Sequence, residues 1–264
     1  MSPDLGNRMK NYEAFETCRR VDGSRPVYVR LDGRSFSTFT SGMTKPFDQR
    51  MTEAMNETTK YMVQKTNSVI GYVQSDEISL MITPTTDTSQ LMFGGKVHKM
   101  VSVFASMATA KLNACIRGWD GYEDRLPCFD ARVMNLPDRM EAVNMLRWRY
   151  MDCTRNAIQS IAQSMFDHGE LQGIQTVDLI EKIRMAGVDP YSFPSRSMYG
   201  SFVRSEKEYK SLTPAELAHI PEHKRPTGPF LRSVLKVYST DMFIQLVNPV
   251  EVIFDNAVPI INKS

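Results

Sequence analysis

The sequence predicts an α+β fold whose strands and helices follow the order β-α-β-β-α-β. Two observations carry this prediction. Runs rich in β-branched and aromatic residues alternate with helical stretches through the first half of the chain, and one polar tetrapeptide, Gln74-Ser75-Asp76-Glu77, separates two consecutive strands. This order is ferredoxin-like, and polymerase palms and nucleotidyl cyclases share it. Because one fold hosts many functions, the function has to be argued from the site.

The individual elements follow from local chemistry. The first strand is rich in β-formers and follows the turn Asp22-Gly23-Ser24. The first helix has Pro46 near its first turn, and Gly118 ends the second helix. The predicted elements of the first half are a strand at 26–31, a helix at 46–65, strands at 68–73 and 78–82, a helix at 96–117 and a strand at 128–134.

The second half of the chain has a different character. Residues 138–166 carry an apolar stripe at helical spacing, which predicts a long helix. Beyond Gly169 glycines and prolines recur, and residues 196–236 hold 8 basic and 4 acidic side chains. We therefore expect a palm-like domain at 1–137, and at 138–264 a long helix with an appended helical, basic C-terminal lobe packed on the palm.

The composition excludes several classes of protein. With 264 residues, 42% of them hydrophobic and 23% charged, the chain is neither disordered nor short of a core. A net charge of +2 excludes a strongly basic coat protein but leaves room for a local basic face. The four cysteines form no CxxC motif, which predicts free thiols. Since the sequence has no apolar signal segment and no membrane span, we expect a soluble, cytoplasmic protein without a membrane partner.

Two acidic residues stand where the predicted order brings chain segments together. Asp32 follows the first strand, and Asp76 lies between the second and third strands. Two carboxylates at one point can share Mg²⁺ ions, which bind few protein carboxylates and leave positions for phosphate oxygens and water. Gly33 has no side chain, so its backbone can approach a metal or a phosphate. The alternative is structural, because Asp-Gly is a common turn pair and an Asp-Glu pair is often just solvated.

Basic residues at two predicted helix starts are candidates for phosphate binding. Lys45 precedes the helix at 46–65, whose N-terminus offers free N–H groups and a partial positive charge. An ordinary capped helix start is the alternative. Lys96 and Lys99 share a face of the next helix, although a solvated face also explains them.

The long helix carries a polar face. Arg149, Asp152 and Asn156 follow the spacing i, i+3 and i+7, which places them side by side. This face either addresses nucleotide or RNA, or is a structural Arg–Asp pair that holds the asparagine. The sequence has no GxSxG motif and no convincing Cys/His nucleophile set.

These segments together resemble the tRNA-His guanylyltransferase family, the polymerases that add nucleotides in the 3′–5′ direction. The resemblance covers residues 8–170, with a weaker match at 199–204. Each block is weak alone, whereas five blocks in family order are highly specific. The matching blocks are RLDGRSF at 30–36, KPFDQR at 45–50, QSDE at 74–77, FDARV at 129–133 and WRYMDCTRN at 148–156.

The resemblance implies a role for each matching residue. Asp32, the Gly33 carbonyl and Asp76 would bind two Mg²⁺ ions, with Glu77 as a supporting catalytic residue. The implied nucleotide contacts are Arg30, Gly33, Arg34, Ser35, Phe36, Lys45, Asp48 and Ser75, with Lys96 and Lys99 as further candidates. The implied helix-face or RNA contacts are Arg149, Asp152, Asn156, Arg196, Arg204, Lys224 and Arg225.

The activity that the resemblance implies is phosphoryl transfer at the 5′ end of tRNA. ATP or GTP first activates a 5′-monophosphate end, and the 3′-hydroxyl of an incoming nucleoside triphosphate then attacks that end. Two metal ions would activate the hydroxyl and neutralise the charge on the leaving group. By family analogy the protein would form a homo-oligomer, a tetramer.

One departure from the family pattern points to a branch. Eukaryotic members carry His-Ile-Asn-Asn after the Asp-Cys pair, whereas this chain has Thr154 and Ala157 at the first and last of those positions. The chain therefore looks like the guanylyltransferase-like branch, which repairs 5′-truncated tRNA by copying the opposite strand. The alternatives are a tRNA-His-specific G−1 guanylyltransferase, a palm-type nucleotidyl cyclase, and a non-catalytic RNA-binding relative, which has no need of a metal pair.

Overall fold

The computed structural model describes residues 3–83, 90–239 and 241–262. The strands of this part are β1 (Val27–Arg34), β2 (Ile70–Gln74), β3 (Glu77–Ile82), β4 (Cys128–Asn135), β5 (Ser201–Lys210) and β6 (Phe230–Ser239). The α-helices are α1 (Pro3–Thr17), α2 (Phe36–Phe39), α3 (Gln49–Thr66), α4 (Val97–Ile116), α5 (Arg139–Met165), α6 (His168–Leu171), α7 (Thr176–Met185), α8 (Ser195–Tyr199), α9 (Pro214–Ala218) and α10 (Pro249–Phe254). Within these residues, no helix combines the length and the apolar character that crossing a membrane requires. All four cysteines are free, as the sequence predicts.

The strands form one six-stranded sheet in the order β4-β1-β3-β2-β5-β6, and each pair of neighbours is antiparallel. The first four strands, with α3 and α4, confirm the predicted β-α-β-β-α-β order. α3 links β1 to β2 across β3, and α4 links β3 to β4 across β1. The carboxyl end of β1 therefore lies beside the β2–β3 turn, with Asp32 directly opposite Glu77.

Helices cover both faces of this sheet. Odd-numbered residues of β1 face the core beneath α3 and α4, and Tyr28 and Met81 face the core beneath α5. This division follows from the two-residue period of a strand. Asp32 lies four residues after Tyr28, and Glu77 lies four residues before Met81, so each shares a sheet face with that residue. The acidic end of the sheet therefore belongs to the face that α5 covers.

The helix α3 begins later than the sequence predicts. Lys45 and Pro46, joined by a cis peptide bond, precede the helix, and Asp48 is its N-cap. The Asp48 carboxylate accepts hydrogen bonds from the Arg50 backbone N–H at 2.9 Å and from the Arg50 guanidinium at 2.8 Å. The N-cap bond satisfies an N–H group that has no partner inside the helix, so the first turn starts there rather than at Pro46. The hydrogen bond from the Arg50 side chain is the main reason that the pKa of Asp48 falls to about 2.

The basic segment 196–236, predicted as an appended lobe, contains a long hairpin that continues the sheet. β5 and β6 pair with each other along their whole length, but only residues 201–203 of β5 also pair with β2. The sheet therefore extends across the predicted domain boundary at 137/138. Part of the local positive charge is neutralised inside the hairpin, because Glu206 lies 2.8 Å from Arg204 and 3.2 Å from Lys236.

Gly200 fixes the entry of the chain into β5. Its φ is +76°, and a Cβ atom there would lie 2.5 Å from the Val73 carbonyl oxygen and 2.7 Å from the Tyr72 hydroxyl. We expect Gly200→Ala to lower the free energy of unfolding by about 3 kcal/mol or more, because backbone strain alone costs about 1–3 kcal/mol and the clash adds to it. Urea denaturation measures this loss.

Gly187 provides the matched control for that experiment. Its φ is +84°, but nothing lies within 4 Å of a Cβ at this position. Gly187→Ala should therefore carry only the backbone strain and lose less stability than Gly200→Ala. Equal losses in the two variants would contradict the packing argument.

Candidate active site

A cleft of about 720 Å³ opens where the end of β1, the β2–β3 turn, the segment before α3 and the middle of α5 meet. The strand order explains this meeting, because β1 and β3 are neighbours and α5 covers the face of the sheet to which their acidic residues belong. Most of the site residues that the sequence predicts lie in the wall of this cleft. They are Arg30, Asp32, Phe36, Lys45, Asp48, Ser75, Asp76, Glu77, Arg149, Asp152, Asn156 and Arg196.

The two segments that carry Asp32 and Asp76 are tied together through the backbone. The Gly33 N–H donates a hydrogen bond to the Asp76 carbonyl oxygen at 3.1 Å. Ser35, with φ +54°, and Ser75, with φ +45°, adopt left-handed conformations that residues other than glycine rarely adopt. Such strain concentrates at functional sites. Asp32 and Asp76 are therefore each close in sequence to a serine whose left-handed backbone conformation the surrounding structure maintains.

Gly33 has a packing role. A Cβ atom at this position would lie 2.4 Å from the Phe36 ring. That ring packs against Phe39 and Phe129, with centroid distances of 5.2 Å and 5.5 Å. The missing side chain therefore lets Phe36 hold the segment after β1 against the sheet, and Gly33 itself is not among the residues that line the cleft.

The Asp76 carboxyl lies in an environment that disfavours its charged form. Burial raises the pKa of Asp76, and the negative charges of Asp32 and Glu77 raise it further, while a hydrogen bond from Ser75 acts in the opposite direction. The Asp32 carboxylate lies 3.7 Å from the Arg132 guanidinium and 3.8 Å from the Arg30 guanidinium, which are long ion-pair distances. The pair of aspartates thus concentrates negative charge, which a bound cation would relieve.

Glu77 is held differently from the two aspartates. Its carboxylate accepts two hydrogen bonds from the buried Arg149 guanidinium, at 2.7 Å and 2.6 Å. Arg149 also donates to Asp152 at 2.9 Å, and Asp152 accepts further hydrogen bonds from Arg155 and Asn156. The spacing-based grouping of Arg149, Asp152 and Asn156 is therefore confirmed. The hydrogen bonds from Arg149 to Glu77 also join α5 to the β2–β3 turn, which the spacing alone does not predict.

Two basic side chains of the cleft are free of acidic partners. Among the residues that the structure describes, no carboxylate lies within ion-pair distance of Lys45 or Arg196. Lys45 precedes the N-terminus of α3, and Arg196 lies in α8 on another part of the cleft wall. Unpaired cations beside a helix N-terminus can bind phosphate groups.

The structure places some predicted nucleotide contacts outside this cleft. Arg34 and Ser35 line a second, more open concavity together with Arg125. Lys96 is the N-cap of α4 and Lys99 is exposed on its first turn, and neither side chain lines the cleft. Arg34 and Ser35 therefore line a different concavity, and Lys96 and Lys99 lie outside the cleft at the start of α4.

Predicted RNA contacts in the C-terminal part are also dispersed. Arg204 donates to Glu206 at 2.8 Å and to the Val252 carbonyl at 3.0 Å, so its guanidinium is engaged within the fold. Arg225 donates to the backbone carbonyls of Leu217 in α9 and of Ile220 just after it, and it is exposed, as is Lys224. These residues do not line the cleft.

Sequence reasoning missed several residues of the cleft wall, including Asn56, Trp148, Arg155 and Ser201. Trp148 and Arg155 lie within the matched block 148–156, and helical spacing from Asp152 could have found them. Asn56 and Ser201 belong to no motif. Their place in the cleft depends on how α3 and β5 pack, which has no local signal.

Comparisons with known proteins agree with one another. The family model for tRNAHis guanylyltransferase matches residues 6–137. A bacterial tRNA(His) guanylyltransferase (Thg1)-like protein in complex with ATP is similar with a TM-score of 0.72 and 36% identity, covering 76% of this chain and 87% of that one. One in complex with GTP gives a TM-score of 0.72 and 32% identity, covering 91% and 94%.

Relatives compared by sequence point the same way. An uncharacterized protein of Acanthamoeba polyphaga mimivirus is 29% identical over 202 residues, which are 68% of this chain and 69% of that protein. The chain also matches tRNA(His) guanylyltransferases of Neurospora crassa and Debaryomyces hansenii, and it spans about half of their length.

Proposed function

The chain belongs to the tRNAHis guanylyltransferase family, whose members are nucleotidyltransferases, and from this premise we propose that it adds nucleotides to the 5′ end of tRNA in the 3′–5′ direction. The proposed physiological reaction is repair of 5′-truncated tRNA by copying the opposite strand. One observation carries the proposal: a single cleft holds the Asp32 and Asp76 carboxylates together with Lys45 and Arg196, two cations without an acidic partner among the described residues. This combination suits phosphoryl transfer, in which positioning and charge stabilisation do most of the work.

The aspartate pair fits a divalent metal ion. The available donors are all oxygens, from Asp32, Asp76 and the Gly33 carbonyl, and Mg²⁺ prefers such ligands. The described residues contain no group of three His, Cys, Asp or Glu side chains arranged for a metal, so the assignment rests on the two aspartates and the Gly33 carbonyl. We assign these three residues to two Mg²⁺ ions, which when bound lower the pKa of a hydroxyl and neutralise charge on a leaving group.

The chain's own cations would position the substrates. Lys45 and the start of α3 suit the triphosphate of a nucleotide, and Arg196 suits the phosphate of the RNA end. Since the bacterial relatives were solved with ATP and with GTP, we propose either as the activating nucleotide. In activation the 5′ monophosphate attacks the α-phosphorus of ATP or GTP, and pyrophosphate leaves. The 3′-hydroxyl of the incoming triphosphate then loses its proton and forms a P–O bond to the 5′ phosphate; the anhydride bond breaks and AMP or GMP leaves, or pyrophosphate where the end is a 5′ triphosphate.

The preference for repair over tRNA-His-specific G−1 addition rests on two positions of α5. The Thr154 hydroxyl donates to the Tyr150 carbonyl of the same helix at 3.3 Å, and Ala157 is buried in the cleft wall. Neither position therefore offers a free polar side chain to an anticodon. The exposed basic residues of the hairpin region, such as Lys224 and Arg225, would contact the RNA backbone. Binding through such contacts is salt-sensitive and independent of the RNA sequence.

A gel assay tests the proposed reaction. Radiolabelled tRNA lacking its first nucleotide is incubated with the protein, Mg²⁺, ATP and each nucleoside triphosphate in turn. Extension only by the nucleotide that pairs with the opposite base is expected. G addition that ignores the opposite base and requires tRNA-His would instead assign G−1 addition. No extension, even of a 5′-triphosphate end, would refute the proposed function.

The range of tRNA substrates provides a second prediction. Because Thr154 and Ala157 replace the family residues tied to tRNA-His, several 5′-truncated tRNAs should be extended with comparable efficiency. Their kcat/KM values, measured side by side in one buffer, check this. A strong preference for the His anticodon would refute the inference from these two positions.

A further inference from the structure

Asn56 is a buried polar side chain in the wall of the cleft. Asn56 of α3 is 5% exposed, and among the described residues its buried Oδ1 atom accepts no hydrogen bond. Its polar neighbours on the same helix behave differently: the hydroxyls of Thr58 and Thr59 each donate to a backbone carbonyl one turn earlier, at 2.8 Å. A buried carboxamide without a partner is costly, and natural proteins rarely keep one without a reason.

The surroundings of Asn56 suit a flat aromatic ring. Phe36, Met51 and Met55 line the same cleft. Asn56 lies eight residues beyond the N-cap of α3, which is about 12 Å along the helix axis from the end where Lys45 stands. A cleft with Lys45 at the start of α3, and with apolar side chains and a carboxamide further along the helix, matches the division of a nucleotide into phosphates and base.

We propose that Asn56 recognises the purine base of the nucleotide bound in the cleft, an inference that rests on the proposed nucleotidyltransferase function. A carboxamide presents a donor beside an acceptor. Adenine offers its N6–H donor beside the N1 acceptor, and guanine offers its N1–H donor beside the O6 acceptor. Rotation of the amide by half a turn exchanges its two atoms, so one asparagine can pair with either base. The site would therefore accept both ATP and GTP.

A change from asparagine to aspartate separates the two bases. An ionised carboxylate can only accept hydrogen bonds. Guanine offers two adjacent donors, N1–H and N2–H, whereas adenine places the lone pair of N1 beside its single N6–H donor. Asn56→Asp should therefore raise the affinity ratio of GTP over ATP by about tenfold or more, the range expected of a bidentate base contact.

The experiment uses the full chain and measures the dissociation constants of ATP and of GTP at pH 8 by calorimetry. Asn56→Leu is the second variant, because it keeps the approximate volume and removes both hydrogen bonds. It should weaken ATP and GTP alike, by about tenfold, without lowering the melting temperature. Gln64→Glu makes the same amide-to-acid change on an exposed position of α3 that lies outside the cleft and far from the start of the helix, and it should leave the GTP-to-ATP ratio unchanged.

The outcomes distinguish the inference from the function on which it rests. Wild-type binding of both nucleotides with an altered ratio in Asn56→Asp supports the inference. An unchanged ratio, or wild-type affinities in Asn56→Leu, overturns it and leaves the proposed function standing. A wild-type chain that binds neither nucleotide overturns both. A merely structural role for Asn56 would lower the stability of the variants and affect ATP and GTP equally.

Discussion

Asp76→Asn is expected to reduce nucleotide addition by about 10³-fold while the melting temperature stays the same or rises. The loss follows because the variant removes one of two carboxylates assigned to the metal ions, and deleting one preorganised electrostatic group typically costs about 10²–10³-fold in rate. The stability result follows from the pKa of Asp76, which burial and then the charges of Asp32 and Glu77 raise in the folded state. A raised pKa means that ionisation works against folding, so stability falls as the pH rises through the folded-state pKa. A neutral asparagine removes that cost.

Asp130 is the matched control for Asp76. It lies on β4 directly opposite Asp32 in the strand register, and it is exposed. It does not line the cleft, so Asp130→Asn should retain activity within a few-fold of the wild type. Single-turnover addition to a 5′-triphosphate tRNA with Mg²⁺, and the melting temperature of each protein in metal-free buffer, give the two readouts. Normal addition by Asp76→Asn, or equal losses in the two variants, would refute the metal assignment.

Arg149→Met is expected to lower the free energy of unfolding by about 3–5 kcal/mol. The side chains of Arg149 and Glu77 are both buried, and removing the guanidinium leaves the Glu77 carboxylate without its two shortest hydrogen bonds. Breaking one partner of a buried ion pair typically costs about this much, because an uncompensated charge remains. Replacing both partners is much less costly, so the double variant with Glu77→Gln should regain most of the lost stability. Urea denaturation of the wild type, both single variants and the double variant forms a complete cycle.

Arg155 offers the control for this cycle. It binds the same Asp152 but its side chain is 58% exposed, so Arg155→Met should cost less than about 1 kcal/mol. A loss below about 1 kcal/mol for Arg149→Met, or a double variant no more stable than the Arg149 single variant, would show that the pair does not support the fold in this way.

The fold class was predictable because local patterns and strand order agree. The β-formers of β1, the apolar stripe of α5 and the turn at 74–77 each report their own element, and their order leaves the ferredoxin-like arrangement as the natural outcome. The hairpin of β5 and β6 was not identified as strands, because the glycines and prolines around it and its many charged residues outweigh its β-formers. The helix α1 was not predicted, since its residues are mostly exposed and leave no buried stripe.

The candidate site was predictable only where motif and topology coincide. Asp32, Asp76 and Lys45 stand at element ends, and the strand order alone brings those ends together. The bond between Glu77 and Arg149 joins residues that are far apart in the sequence and depends on which face of α5 meets the sheet. Lys96 and Lys99 have the positive charge expected of phosphate-binding residues, but neither lines the cleft, because α4 begins outside it. The catalytic and binding roles of these residues stay predictions.

The β5–β6 hairpin is attached to the rest of the sheet over a short length, so changes in the hairpin and changes at the acidic end of the sheet can occur separately. Only residues 201–203 of β5 pair with the rest of the sheet, and the outer positions of both strands pair with each other alone among the described strands. Substitutions, insertions or deletions in that outer part can alter the proposed RNA contacts without changing the register that sets Asp32 opposite Glu77. RNA affinity and chemistry could therefore diverge independently in descendants of this chain, because under the proposed roles separate parts of one sheet would carry them.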